Sequence, residues 1–282
     1  MDRIDGTLEI TTLIGCPVRC RYCPQSLLLN AYHGSPRRMS LDTFRACLSR
    51  VPPAVRVDFS GMAEPWLNPD CLAMLRFAAG RGHPLAMFTT LLGMRPADLD
   101  ALAELTMDPI VFHLPDQEGN SCIPITPKYL ALLRQLLDLL EAGPPWRGVR
   151  VSCHGRLHPR LAAPFGERLA GLHVPVVSQL SDRAGSLPDT ELVHRHVQGR
   201  IACSTAQRRL NHNVLLPDGT VILCCMDYGC RHVLGNLLSQ SYESLRTGAQ
   251  MRSVLAGMDD PALPVLCRHC VRAVPYVDEI CP

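Results

Sequence analysis

The chain has 282 residues, 47% hydrophobic and 19% charged, which suits one large globular domain or a domain with a smaller module and argues against disorder. A formal charge of +2 gives no basic surplus for a phosphate backbone, and no apolar run reaches the roughly 20 residues that span a bilayer, so neither nucleic acid nor membrane is an expected partner. Fourteen cysteines without a secretory signal at "MDRIDGTLEI" point to the cytoplasm, with thiols kept reduced and several of them used as metal ligands.

β-rich runs alternate with helical patterns along the first two-thirds. "TLEITTLI" (7–14) is followed by a helix around 40–51, "VRVDFSG" (55–61), "CLAMLRFAAG" (71–80), "LAMFTTL" (85–91) and "DLDALAEL" (98–105). Next come "IVFHL" (110–114), "YLALLRQLLDLLEAG" (129–143), "VRVSCHG" (149–155) and "VPVVSQL" (174–180). Six strands alternating with helices predict an α/β fold. With chemistry-bearing residues at the strand ends, a partial (β/α)6 barrel over residues 1–195 is the expected closure, because such folds place chemistry on the loops after the strands. After "SDRAGSLPDTE" (181–191) the pattern changes. "NVLLPDGTVILCC" (213–225) reads as a β-hairpin around a Pro-Asp-Gly turn, and six cysteines fall between 224 and 281. Residues 196–282 are expected to form a small β-hairpin-plus-helix module stapled by metal, since so short a segment buries only a modest core.

Directly after the first run, "GCPVRCRYCPQ" (15–25) sets Cys16, Cys20 and Cys23 in a CxxxCxxC spacing on a strand-following loop. Three thiolates can hold three irons of a [4Fe-4S] cube and leave the fourth iron open to a ligand that is not protein. The alternatives are a zinc site, which would want a fourth ligand, or casual buried thiols. Tyr22 fills the aromatic slot before the last cysteine, and "SGMAEP" (60–65) follows the next strand.

On these motifs the chain resembles the radical S-adenosyl-L-methionine (SAM) enzymes, over essentially its whole length. The resemblance implies that the open iron is chelated by the amino and carboxylate groups of SAM. It also implies that Ser60, Gly61, Met62 and Glu64 match the glycine-rich motif that receives the SAM ammonium, and that Tyr22 packs near the adenine. Met62 stands where the family usually has a second glycine or equivalent small residue. In such enzymes one electron from the cluster cleaves the S–C5′ bond, and the adenosyl radical takes a hydrogen from an unactivated C–H bond. A single-electron donor such as flavodoxin or ferredoxin is then an expected partner.

Cys203, Gly219 and Cys224 form C-x15-G-x4-C across the hairpin, and Cys267 with Cys270 supplies a CxxC. This looks like the shortened auxiliary-cluster domain called twitch, a relative of the longer SPASM domain, and implies that the four cysteines hold one auxiliary [4Fe-4S] cluster. A SPASM domain would need more cysteines after Cys270, and only Cys281 follows. A zinc ribbon with the same four ligands also satisfies the spacing. Cys225, next to a ligand on a strand, is expected to face the other way and pack. Cys47, Cys71, Cys122 and Cys153 are expected to behave as small hydrophobes.

Two reactions share this opening step. A dehydrogenase removes a carbinol hydrogen, deprotonates the hydroxyl and passes the second electron to the auxiliary cluster, whereas an epimerase quenches the carbon radical from the opposite face with a thiol. Cys230, in "CCMDYGCRHVLGN", stands where related sequences commonly carry an aliphatic residue, in a segment the resemblance places over the barrel mouth. Its weak S–H bond can return a hydrogen, so the expectation is a radical SAM epimerase. Within the family the resemblance is to neomycin-type aminoglycoside epimerases, with butirosin-type cyclitol dehydrogenases second. The first strand begins at Thr7, which leaves no room ahead of it for a leader-peptide-binding domain. A small polyhydroxylated substrate, a cyclitol, sugar or aminoglycoside, is therefore expected. His113, Asp116, Gln117, Glu118, His154, Gln179 and Asp182, near predicted strand ends, are candidates to read its hydroxyls and amines. The non-enzymatic alternative is a cytosolic zinc-binding interaction protein stapled by both cysteine groups.

Overall fold

The structure is a computed structural model and describes residues 5–143, 146–172, 174–188 and 192–277; Cys281 lies outside them. Five short strands carry the N-terminal part: β1 (Thr7–Ile10), β2 (Arg56–Phe59), β3 (Leu85–Thr89), β4 (Ile110–Leu114) and β5 (Val149–Cys153). They are rich in branched and aromatic residues and largely buried, as parallel strands covered by helices are. Helices α1 (Gln25–Ala31) and α2 (Leu41–Leu48) lie between β1 and β2, and α3 (Cys71–Gly80), α4 (Pro96–Ala103) and α5 (Pro127–Glu141) fill the next three connections. Helix α6 (Pro159–Gly171), which the sequence pattern did not announce, follows β5. The side chains of Ser40 and Thr126 cap α2 and α5 by accepting from the third backbone N–H, and Pro127 opens α5 with a preset φ.

The sheet neighbours follow chain order, β5-β4-β3-β2-β1, and all pair in parallel. Right-handed crossovers running in a single direction put the helices on one face, so the other face curves around a lumen. That is the partial barrel the sequence predicts. Its sixth strand is reduced to one bridge, Cys153 to Val176, and Val176 is 57% exposed. Pro175 has no N–H to give to a ladder, and the segment is left as an edge.

The C-terminal part contains β6 (Ile201–Cys203), β7 (His212–Leu215), β8 (Thr220–Ile222), β9 (Val233–Asn236), α7 (Tyr242–Arg246), α8 (Ala249–Asp259) and β10 (Ala273–Pro275). The expected hairpin forms as β7 and β8. However, β7 also pairs in parallel with β1, Thr7 opposite His212 through Ile10 opposite Leu215, so one eight-stranded sheet runs across the expected division at 195/196. Strand β10 pairs with β6 and sets Ala273 opposite Cys203, which brings the CxxC turn to Cys203. Within that turn Arg268 is 3% exposed and donates to Gly199 O (2.6 Å) and Gly257 O (2.7 Å), tying the ligand loop to α8. Among the described residues no helix is long and apolar enough to cross a membrane.

Candidate active site

The loops after β1, β2 and β3 meet the ends of β4 and β5 around a cavity of about 400 Å³, within the size range of small-molecule sites. Cys16, Cys20, Cys23, Tyr22, Ser60, Gly61, Met62 and Glu64 all line it, so the structure brings the whole expected N-terminal set together. The triad thiols are half-buried. A hydrogen bond from Cys20 and the positive charge of Arg183 hold the Cys23 thiol below its ordinary range, towards the thiolate that ligates metal. Gln25 fastens this loop to the next: its Oε1 accepts from Cys16 N (3.2 Å) and its Nε2 donates to Met62 O (2.7 Å).

Gly61 has φ +59°, and a Cβ there would collide with Thr11 Oγ1 and lie 2.9 Å from Thr11 N, so only glycine allows the two loops to approach this closely. Met62 donates its N–H to Thr11 Oγ1 (3.1 Å) and buries its side chain in a cluster with Ile14, Leu28 and Tyr228. The missing second glycine therefore costs the site no room. Glu64 lines the cavity and is also held by protein donors. Its buried carboxylate accepts from Thr89 Oγ1 (2.7 Å), Thr90 N (2.6 Å), Thr90 Oγ1 (2.6 Å) and Trp66 N (3.3 Å). It pins the end of β3 beside the motif, and burial pushes its pKa up in spite of these donors.

Of the polar residues proposed to read a substrate, His113 and His154 line the cavity. Burial pushes His113 down to about 3 and His154 down to about 4, so both are neutral at physiological pH. His113 Nδ1 lies 2.8 Å from Ser152 Oγ. The others are used elsewhere. Asp116 accepts from the N–H groups of Asn120 and Ser121, Glu118 pairs with Arg156, Asp182 pairs with His194, and Gln117 and Gln179 are exposed.

A second cavity, of about 240 Å³, is lined by Cys203, Cys224, Cys267 and Cys270, the expected auxiliary set. Cys225 lines it too, contrary to the expected outward orientation: the chain leaves β8 before residue 224, so strand alternation no longer governs the pair. Its thiol donates to Glu9, which also meets His212 Nε2 at 2.5 Å. Burial works to raise the Glu9 pKa, but the bond and charge of His212 more than offset it and hold the carboxylate low. Glu9, His212 and Arg183 were not anticipated. The one signal was a glutamate inside the buried first strand. Among the described residues no three His, Cys, Asp or Glu groups converge tightly enough for a single metal ion, which the ligands of a cube, sitting on separate irons, need not do.

Cys230 lines neither cavity. It packs against the cluster that includes Ile14, Leu28, Tyr32 and Val214, at φ +47°, and burial pushes its thiol up to about 11, helped by Asp227 and Asp218. The turn from Asp227 to Cys230 is closed by Cys230 N to Asp227 O (3.1 Å), and the same cluster includes Met62 and Tyr228, which line the first cavity. Cys47, Cys71 and Cys153 are buried as small hydrophobes, whereas Cys122 is exposed.

Comparison with known proteins agrees with this geometry. A family model described as "Iron-sulfur cluster-binding domain" (SPASM) matches residues 203–271. The PqqA peptide cyclase of Ruegeria pomeroyi is 31% identical over 101 residues, 35% of this chain and 26% of that protein, so the match spans about a quarter of the relative's length. The crystal structure of BtrN in complex with AdoMet and 2-DOIA superposes with a TM-score of 0.62 at 17% identity, covering 92% of this chain and 89% of that one. Streptococcus suis SuiB bound to precursor peptide SuiA gives 0.60 at 10% identity, covering 89% and 66%. Native anSMEcpe with bound AdoMet gives 0.52 at 12%, covering 94% and 86%. The fold is shared with these structures, two of which hold AdoMet. Residues 203–271 match a SPASM iron-sulfur cluster-binding domain, which agrees with the four cysteines that line the second cavity.

Proposed function

We propose that the protein oxidises a carbinol of a small polyhydroxylated substrate, a cyclitol, sugar or aminoglycoside, to a ketone. The observation that carries this reading is the adjacency of the two cavities, whose walls share Arg183 and Arg272. When bound, the SAM-side cofactors supply an adenosyl radical that abstracts hydrogen, and the auxiliary cluster supplies an acceptor for the second electron. Cys16, Cys20 and Cys23 are the ligands of the first cluster, and Cys203, Cys224, Cys267 and Cys270 those of the second. The backbone of Ser60, Gly61 and Met62 shapes the SAM seat, with Glu64 holding β3 against it. His113 and His154, neutral because they are buried, accept hydrogen bonds from substrate hydroxyls and orient them, and Phe88 and Tyr22 keep water from the cavity.

The thiols that line the SAM cavity are those of the triad, among the described residues. That speaks against a return of hydrogen from Cys230 and so against the epimerase expected from the sequence. Epimerisation stays as the second reading because of Cys225, a thiol in the adjoining cavity. The size of the substrate is supported by the likeness to BtrN along nearly the full chain. A flavodoxin or ferredoxin is the proposed electron donor, and the cytoplasm the proposed location.

The test is anaerobic turnover of reconstituted protein with SAM and candidate cyclitols and aminoglycosides in deuterated water. Oxidation gives a product about two mass units lighter than substrate, whereas an inverted product about one unit heavier hands the case to epimerisation. Colourless protein that binds zinc alone would leave the interaction-protein reading.

A further inference from the structure

Arg183 occupies the wall between the two cavities and lines both. Its Nε donates to Tyr22 O (2.9 Å) and one terminal nitrogen points to Met226 Sδ (3.8 Å), with the guanidinium 5.9 Å from the Tyr22 ring centroid and 5.7 Å from that of Tyr228. Among the described residues no carboxylate comes within ion-pair distance of it. Its charge acts instead on Cys23, a triad ligand, and on Cys225, the neighbour of an auxiliary ligand. An arginine does not shed its proton in a protein, so this is a permanent charge, partly withdrawn from water, whose carboxylate influence is that of Glu9 on the wall of the second cavity rather than a paired ion.

The backbone also accepts strain to put it there. Arg183 (φ +51°) and Ala184 (φ +55°) are consecutive non-glycine residues in the left-handed region, where such residues are uncommon and cluster at functional sites. Ser181 Oγ accepts from Arg183 N (3.0 Å), and Asp182 O accepts from Ser186 N and Leu187 N (2.9 Å each), fixing the turn. A cation held between two cysteine sets, with Glu9 on one side only and no carboxylate paired to it, would find further compensation in the negative charge that thiolate-ligated clusters bring to either side.

We propose that Arg183 is a shared positioning charge that raises the reduction potentials of both clusters and so sets the driving force of electron transfer into each of them. The inference rests on the cluster reading of the two cysteine sets. Each cluster gains one negative charge when it takes one electron, and a fixed cation beside its ligands favours that reduced form.

The experiment is an EPR-monitored redox titration, without SAM or substrate, of reconstituted wild type, Arg183→Gln and Arg183→Lys. The auxiliary cluster is also read alone in a Cys16→Ala, Cys20→Ala, Cys23→Ala background with and without Arg183→Gln. Iron content comes first: wild type holding about eight irons supports the cluster reading, and wild type that binds none overturns that reading itself. Given loaded protein, both potentials are expected to fall in Arg183→Gln by about 59 mV, a tenfold change in a one-electron equilibrium, and to hold in Arg183→Lys. Unchanged potentials in a loaded Arg183→Gln protein overturn the proposal, as does a shift confined to one cluster. An equal fall in the lysine variant replaces charge with shape and also overturns it. Should Arg183→Gln fail to load, a loaded Arg183→Lys with wild-type potentials supports the charge role, and an unloaded one overturns it in favour of a structural role.

Discussion

Tyr22 stacks on His154 with ring centroids 4.3 Å apart and planes 25° from parallel, and its hydroxyl lies 3.2 Å from His154 Nδ1 and 3.0 Å from Ser121 Oγ. The pair joins the triad loop to the end of β5 and closes one wall of the cavity. Tyr22→Phe removes the hydroxyl and keeps the stack, at a net cost of about 1 kcal/mol in anaerobic denaturant melts. Iron content and SAM cleavage stay near wild type. Tyr22→Ala removes both the hydrogen bonds and the stack and widens the wall, so SAM affinity measured by calorimetry falls, about tenfold for each 1.4 kcal/mol of binding free energy that the ring supplied. Wild-type affinity in that variant would place the adenine elsewhere.

The two cavity histidines give the protein a defined acid limit. Both stand far below the ordinary value of 6.5, His154 at about 4 and His113 at about 3, each chiefly through burial. In the unfolded chain they take up protons near 6.5, so between that value and their folded values the unfolded state binds more protons. Stability therefore falls as pH drops from about 6.5 towards 4, and this contribution is flat above that window. His154→Gln is expected to flatten the slope of unfolding free energy against pH in denaturant melts. A slope equal to wild type would mean that the imidazole is already solvated.

The pattern of the sequence reached far into this site, for reasons that particular residues explain. The grouping of Cys16, Cys20 and Cys23 was legible because three thiols on one loop are brought together by chain spacing alone. The hairpin at Pro217-Asp218-Gly219 was legible because its turn needs a residue at positive φ, which Gly219 supplies at +84°. What stayed hidden depends on pairings distant in sequence. Nothing local announces that β7 lies beside β1, and hence that Glu9 meets His212. "VPVVSQL" reads as a strand by composition, but with Pro175 silent as a donor and only Cys153 offering a bridge it does not become one. Arg183 left no trace, since its importance comes from a turn whose φ angles the residue types do not favour.

The two cysteine sets line different cavities and share no ligand. Cys16→Ala, Cys20→Ala or Cys23→Ala is therefore expected to abolish 5′-deoxyadenosine production while iron content falls only by about half, from about eight to about four. Cys267→Ala strikes a part whose folding is tied to its metal and lowers soluble yield as well as activity, as prolonged chelation should. A soluble, fully active Cys267→Ala protein would show that neither folding nor turnover needs the auxiliary cluster.

Cys230 decides between the two chemistries. A hydrogen donor has to reach the carbon radical, and this thiol does not itself line either cavity but packs on a cluster whose Met62 and Tyr228 stand in the wall of the first. Its φ of +47° is carried equally well by alanine, since both residues have a Cβ, so Cys230→Ala adds no backbone strain. The variant loses one buried sulfur, at a cost of about 1 kcal/mol of stability. SAM cleavage, substrate consumption and product mass in deuterated water are expected to match wild type, with a ketone about two mass units below substrate in both. A different result would reverse the assignment. If wild type yields an inverted product carrying one solvent deuteron and Cys230→Ala consumes SAM without forming it, the thiol reaches the substrate after all and the enzyme is an epimerase.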